Sequence, residues 1–160
     1  MARAMDEIVA RSMAKWPDVP DVYGWLSLDR RGNWLLRREK IGNRALREFI
    51  ARNYQPDARG CWYFQNGPQR VFVQLAYTPL VVHLEGETRG AALFDHCGRP
   101  FEASQAYLDE AGSILMAGKA GIGLLDDRDL ARYSDQAGEL PTIASGTLPE
   151  RFGYVGNPAP

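Results

Sequence analysis

The sequence predicts an α+β fold with a mostly antiparallel sheet, and three observations carry that expectation. The spacing Asp-x-x-Gly occurs at Asp29–Gly32, Asp57–Gly60, Asp95–Gly98 and Asp109–Gly112, each beside apolar or aromatic residues such as Leu28, Trp34, Trp62, Phe94, Leu108 and Ile114. Residues 71–77 alternate Val71, Val73, Leu75 and Tyr77 with Phe72, Gln74 and Ala76, the period of a strand with one buried face. Helical segments open at two capping residues, Asn43 and Asp126, and divide the strands into hairpin-helix units.

The turns follow from side-chain chemistry. Asp is favoured at the first position of a type I turn because its carboxylate accepts hydrogen bonds from backbone N–H groups about two residues on. Gly at the fourth position closes a three-residue hairpin loop in the left-handed conformation, which costs a residue with a Cβ about 1–2 kcal/mol. The four sites therefore read as hairpin tips. Asn66-Gly67 resembles a two-residue hairpin turn, but Pro68 disfavours the left-handed conformation before it, so a longer loop is expected there.

Met5, Ile8, Val9, Met13 and Trp16 line one face of an amphipathic N-terminal helix that Pro17 ends. Behind Asn43, the residues Leu46, Phe49, Ile50 and Tyr54 form an apolar stripe, with Arg44, Glu48 and Arg52 spaced for i,i+4 pairing. At the second helix Asp126 is the N-cap, Asp129 the reciprocal acid of a capping box, and Leu125 faces Leu130. "LDRRGNWLL" laid over "LDEAGSILM" reads as an internal repeat. The expected organisation is an N-terminal helix and linker over 1–20, a hairpin-helix-strand unit over 21–88, a related unit over 89–150, and a tail over 151–160 whose last five residues are loose.

Composition narrows the function. No stretch approaches the roughly 18 apolar residues of a membrane span, and Asp6 and Glu7 interrupt any apolar leader, so no membrane partner is expected. Two cysteines fit a reducing compartment and a cytoplasmic location. Residues 1–80 hold 13 Lys/Arg and 8 Asp/Glu, whereas residues 81–160 hold 6 and 12. That asymmetry points to an acidic protein partner, a small anionic ligand, or a second copy docked head to tail. The candidate binding residues are Arg30, Arg31, Arg37, Arg38, Lys40 and Arg44. Nucleic acid is disfavoured, because Trp25, Trp34 and Trp62 sit at strand positions where burial is the default and the isoelectric point is about 6.1.

Residues 23–85 resemble an uncharacterised proteobacterial family, a domain of unknown function. The matching residues are Asp29, Gly32 and Trp34, the run Ile41-Gly42-Asn43-Arg44-Ala45-Leu46 with Phe49, then Gly60, Trp62, Val71, Val73 and Pro79. The resemblance implies two related α+β units and a link to signalling, and it brings no catalytic residues. It fades beyond residue 90, at "FDHCGRP".

Reactive residues are few. Cys61, His83, His96 and Cys97 lack the paired spacing of a structural zinc site. Cys97 as a nucleophile needs a base, and on a strand its neighbour His96 points to the opposite face. "GKAGIG", residues 118–123, lacks the terminal Lys-Ser/Thr of a phosphate loop and reads as a connection between strand and helix. Capping and the helix dipole account for Asp126, Asp127 and Asp129. The sequence thus favours a non-enzymatic binding or interaction module of regulatory kind, with no metal or cofactor. The rival is a small hydrolase-like enzyme with its site near His83, Asp95, His96 and Cys97.

Overall fold

The computed structural model describes residues 19–86 and 91–160, together with Glu7. Glu7 aside, the helix expected ahead of Pro17 lies outside the described residues. The chain divides into two compact units: residues 1–29, 33–76 and 154–160 form the first, and residues 30–32 and 77–153 the second. The division falls after Ala76, ahead of the boundary drawn from the sequence at 88/89.

The first unit is a six-stranded sheet in the order β3-β2-β1-β6-β5-β4. Its strands are β1 (Val22–Leu28), β2 (Trp34–Leu36), β3 (Glu39–Lys40), β4 (Tyr54–Pro56), β5 (Trp62–Asn66) and β6 (Gln69–Leu75), with helix α1 (Arg44–Arg52) between β3 and β4. Every pairing is antiparallel except β1 with β6. The second unit has the order β8-β7-β11-β10-β9, from β7 (Leu80–Glu85), β8 (Ala92–Asp95), β9 (Gln105–Leu108), β10 (Ile114–Gly118) and β11 (Gly121–Leu125). Here only β7 and β11 run parallel. Helices α2 (Leu130–Ala137) and α3 (Leu148–Phe152) follow, each entered through a 3₁₀ turn.

Both units share one strand plan: a three-strand meander whose last strand returns parallel to the unit's first. The meander β4–β5–β6 thus corresponds in strand order to β9–β10–β11. The sequence comparison instead laid residues 28–36 over 108–116, because the Asp-x-x-Gly turn recurs at more than one hairpin and matches itself out of register.

The four turns share one hydrogen-bond pattern. Each Asp N–H donates to the carbonyl four residues on, at Asn33, Cys61, Arg99 and Ser113, and Asp Oδ1 accepts the N–H of that same residue. In the last three, Oδ1 also accepts the N–H two residues on, from Arg59, Cys97 and Ala111. The closing glycines have φ between 82 and 84°. One carboxylate therefore satisfies loop donors that the strand ladder cannot reach.

Several expectations change. Asn66 pairs with Gln69, leaving a two-residue loop of Gly67 and Pro68. Gly67 adopts φ 57° because it has no Cβ to meet the proline ring, and a II′-type turn asks for glycine at that position. Residues 118–121 close the β10–β11 hairpin instead of joining strand to helix. In α1, Asn43 Oδ1 caps the Leu46 N–H at 2.9 Å, yet Leu46 itself is exposed and Tyr54 belongs to β4.

The strand β6 is buried on both faces, since Val73 and Phe72 are both inaccessible. One face packs Trp34, Tyr54, Phe64 and Ile50, with Trp34 edge-on to Tyr54 at 4.8 Å. The other packs Cys61, Tyr63 and Phe72 under Tyr23 and Val155. Each such aromatic contributes roughly 1.5–3 kcal/mol through burial. The tail is not loose: the Gly156 carbonyl accepts the Leu75 N–H at 2.8 Å, Gln74 donates to Asn157 Oδ1 at 2.9 Å, and Pro158 is buried.

Gly32 carries a second constraint, because a Cβ there would lie 2.7 Å from His96 Cβ, whereas one at Gly98 would meet nothing within 4 Å. Gly98→Ala should cost about 1–2 kcal/mol from its backbone conformation alone. Gly32→Ala should cost clearly more. Chemical denaturation of the two variants checks the ranking, and equal losses would contradict it.

Candidate functional site

Parallel pairing of β7 and β11 sets Leu125 opposite Val82, and the Asp126 N–H donates to the Val82 carbonyl at 2.9 Å. This brings His83 beside Asp126 across 43 positions of sequence. Asp126 is 1% exposed. Its Oδ2 lies 3.0 Å from His83 Nδ1 and 2.6 Å from Arg128 Nη2. Its Oδ1 accepts the Arg128 backbone N–H at 2.9 Å and Nε at 3.0 Å. The His83 contact is an ion-pair approach, in which the carboxylate faces Nδ1 and leaves Nε2 on the far side of the ring. Burial pushes Asp126 up, but hydrogen bonds and charge from Arg128, with His83, outweigh it and hold the carboxyl below the ordinary value.

Asp129 does not complete a capping box. Its Oδ2 accepts the Leu84 N–H at 3.1 Å, tying the helix entrance to β7, while Arg132 donates to the Leu84 and Gly86 carbonyls at 2.9 and 3.0 Å. One ligand atom each from His83, Asp126 and Asp129 falls within 4.8 Å of the others. An imidazole and two carboxylates suit a divalent metal in kind. However, the Arg128 guanidinium already occupies Asp126 and would repel a cation, so the cluster reads as a charge-balanced network. No sequence signal announces it, since only strand pairing brings its members together.

The other residues of the hydrolase-like reading are engaged elsewhere. Asp95 Oδ1 closes its turn on the Cys97 and Arg99 N–H groups. His96 Nδ1 accepts the Val81 N–H at 3.1 Å, which fixes the neutral ring's proton on Nε2. Cys97 is half-buried, and Cys61 is buried with its thiol pushed up by burial and by Asp57. Neither forms a disulfide.

The six candidate binding residues separate between the units. Arg30 and Arg31 belong to the second, where Arg31 grips Asp127 with two hydrogen bonds of 2.9 and 3.2 Å. Arg37, Arg38, Lys40 and Arg44 belong to the first, and Arg44 pairs with Glu48 at 2.8 Å. Trp34 and Trp62 are buried and offer no stacking plane.

Trp25 differs from both. Val22 pairs with Val71 and Leu26 with Val73, so Tyr23, Gly24 and Trp25 all oppose the single residue Phe72. In this bulge Gly24 takes φ 79° and Tyr23 stacks on Phe72 at 4.8 Å. Trp25 is left 46% exposed, with the Arg37 guanidinium 3.7 Å over its ring, and Leu36 is equally exposed. Arg37 and Arg38 form the two-residue loop from β2 to β3, with φ of 48 and 71°. Such a loop is the I′ type, which prefers Asn-Gly. Gly24 within a strand was a bulge signal in the sequence; the Arg-Arg loop had none.

These features define an α+β protein of two sheet units, its buried carboxylates engaged in turns and its exposed tryptophan covered by arginine. The model of the DUF2944 family, described as "Protein of unknown function (DUF2946)", matches residues 5–159, and the chain belongs to that family. The structure is similar to that of a DUF1285 family protein from Silicibacter pomeroyi DSS-3, with TM-score 0.53 and 18% identity over 82% of this chain and 85% of that one. It is also similar to a DUF1285 family protein from Shewanella baltica OS155, with TM-score 0.51 and 14% identity over 69% and 90% of the two chains. None of the curated proteins matches the sequence. The chain is thus a member of an uncharacterised family with an α+β fold.

Asp126→Asn should remove about 1.5–3 kcal/mol of stability at neutral pH by weakening charged hydrogen bonds. Because the folded carboxyl titrates below its ordinary value of 3.8, its contribution is complete above that pH and is lost as the pH falls through the folded pKa. The stability gap between wild type and variant should therefore close on acidification. Denaturation curves at several pH values check this, and a gap that widens in acid would contradict it.

Proposed function

We propose that the chain is a non-enzymatic cytoplasmic binding module, regulatory or signalling in kind, that holds an acidic segment of a partner protein at the Trp25–Arg37 surface of its first unit. One observation carries this reading: an exposed tryptophan under an arginine, on a loop whose two arginines both hold left-handed backbone. Each of those residues costs about 1–2 kcal/mol that an Asn-Gly loop would avoid, and such strain gathers at functional surfaces. Arg37, Arg38 and Lys40 face only Glu39 within the loop and β3, which favours an anionic occupant. Trp25 and Leu36 would seat an apolar side chain beside its charges. Two cysteines outside any disulfide fit a reducing compartment, and the family resemblance of residues 23–85 supports the regulatory setting.

Fluorescence anisotropy of a labelled Glu-rich peptide bearing one Phe tests the reading. Binding should weaken at least tenfold in Arg37→Glu/Arg38→Glu and should fade with salt. An affinity indifferent to both changes would reject it. The first unit carries a net charge of +3 and the second −4, so a second copy is the rival occupant. A low-salt dimer in sedimentation, dissolved by the same double variant, would replace the partner protein with that copy.

Strain supplies an independent check. Arg37→Asn/Arg38→Gly should stabilise the protein by about 1 kcal/mol or more while weakening peptide binding. A thermal melt set beside the anisotropy titration reads both, and a lower melting temperature would show that the loop is not strained.

The 3.0 Å approach of His83 Nδ1 to the Asp126 carboxylate favours a second reading, a hydrolase-like enzyme in which His83 Nε2 serves as base. It requires that hydrolysis of an activated ester by the wild type fall to background in His83→Ala. Equal rates in the two proteins would remove it.

A further inference from the structure

The second unit contains a cleft of about 250 Å³, lined by Arg30, Ser113, Asp127, Leu124, Leu125 and Leu130 with the small residues Ala111 and Gly112. Leu124 and Leu125 lie nearly inaccessible at the base of the cleft, the half-buried Leu130 offers apolar surface beside them, and Arg30 and Asp127 are exposed at its rim. Arg30 is fixed from two directions: its guanidinium lies 4.7 Å over the Tyr77 ring, and Nη2 donates to Ser113 Oγ at 2.9 Å. Neither partner is a charge. Among the described residues, no carboxylate lies within ion-pair distance of Arg30.

The neighbouring arginines behave otherwise. Arg31 neutralises Asp127 through both carboxylate oxygens, Arg128 holds Asp126, and Arg132 lies 3.8 Å from Asp129. The one acid on the cleft rim is thus already compensated, and Arg30 alone presents an unbalanced charge. A guanidinium held in place by stacking and one hydrogen bond retains further N–H donors for an incoming anion.

We propose that this cleft binds a small carboxylate with a short aliphatic body, its carboxylate on Arg30 and its chain on Leu124, Leu125 and Leu130. The volume lies below the ~300–1,000 Å³ of pockets for drug-sized ligands, which sets the size class. The leucine floor selects against wholly polar anions, and the guanidinium fork matches a carboxylate with two parallel hydrogen bonds. The site is built from residues of the second unit alone, and the inference does not rest on the Trp25–Arg37 reading.

The test is a titration of the full chain, isotope-labelled at its leucine methyls, with hexanoate, acetate, inorganic phosphate and hexylammonium as probes. Hexanoate should give saturable shifts at Leu124, Leu125 and Leu130, with affinity at least tenfold tighter than acetate or phosphate. Hexylammonium should give none. Arg30→Gln should weaken hexanoate at least tenfold, Arg30→Lys should retain part of the affinity, and Arg37→Gln should leave it unchanged. Arg30 is exposed, so its variants should keep the wild-type melting temperature, and the melt is recorded alongside. Tighter binding of phosphate than of hexanoate would overturn the aliphatic carboxylate. Shifts that do not saturate, or an affinity indifferent to Arg30→Gln in a folded protein, would overturn the site.

Discussion

A single aspartate oxygen accepting backbone N–H groups across a glycine-closed loop is the interaction on which the rest of this structure depends. It sets which residues oppose each other on leaving the loop, and register then decides which side chains face the core. At Asp57 the carboxylate joins β4 to β5, which places Trp62 opposite Pro56 and Phe64 opposite Tyr54. At Asp109 it joins β9 to β10, which places Ile114 opposite Leu108. The cost of burying Asp57 raises its pKa, but hydrogen bonds from Cys61 and Arg59 more than compensate and leave it lowered. The acids that look reactive in the sequence are therefore mostly engaged in holding backbone.

The same local economy explains what could be read in the sequence. Asp-x-x-Gly spacing, the Asn43 cap and the alternation over residues 71–77 are local signals that depend on residues within a few positions of one another, although the strand ends at Leu75 and buries both faces through Phe72 and Val73 where the alternation predicts one. The capping box at Asp126 failed because its second acid had a competing partner, the Leu84 N–H, supplied by a strand that no local pattern places there. Pro68 disfavours a left-handed residue before it chiefly where that residue has a Cβ, and Gly67 has none, so the two-residue turn forms where the sequence predicts a longer loop. The tail looked loose from its Gly and Pro content, yet Gly156 offers a carbonyl where Leu75 has a spare N–H.

The candidate sites were less legible, for a physical reason. His83 with Asp126, Arg30 with Tyr77 and Ser113, and Trp25 with Arg37 are all made by strand pairing or by a bulge. The basic residues 30–44 read as one patch because they are near in sequence. Within their own units, Arg30 lies beside a cleft and Arg37 on an exposed indole. Where most of the chain follows its local preferences, the Arg-Arg loop departs from them, and consistency elsewhere makes that departure informative.

The most direct measurement of the central claim compares the unfolding free energies of Asp29→Ala, Asp57→Ala, Asp95→Ala and Asp109→Ala with that of Glu102→Ala, an exposed acid in the second unit. If the loop carboxylates hold the strands in register, each of the four should lose about 1.5–3 kcal/mol while Glu102→Ala stays within about 0.5 kcal/mol of wild type. Losses at the four sites no larger than at Glu102 would show that strand pairing is set by core packing alone.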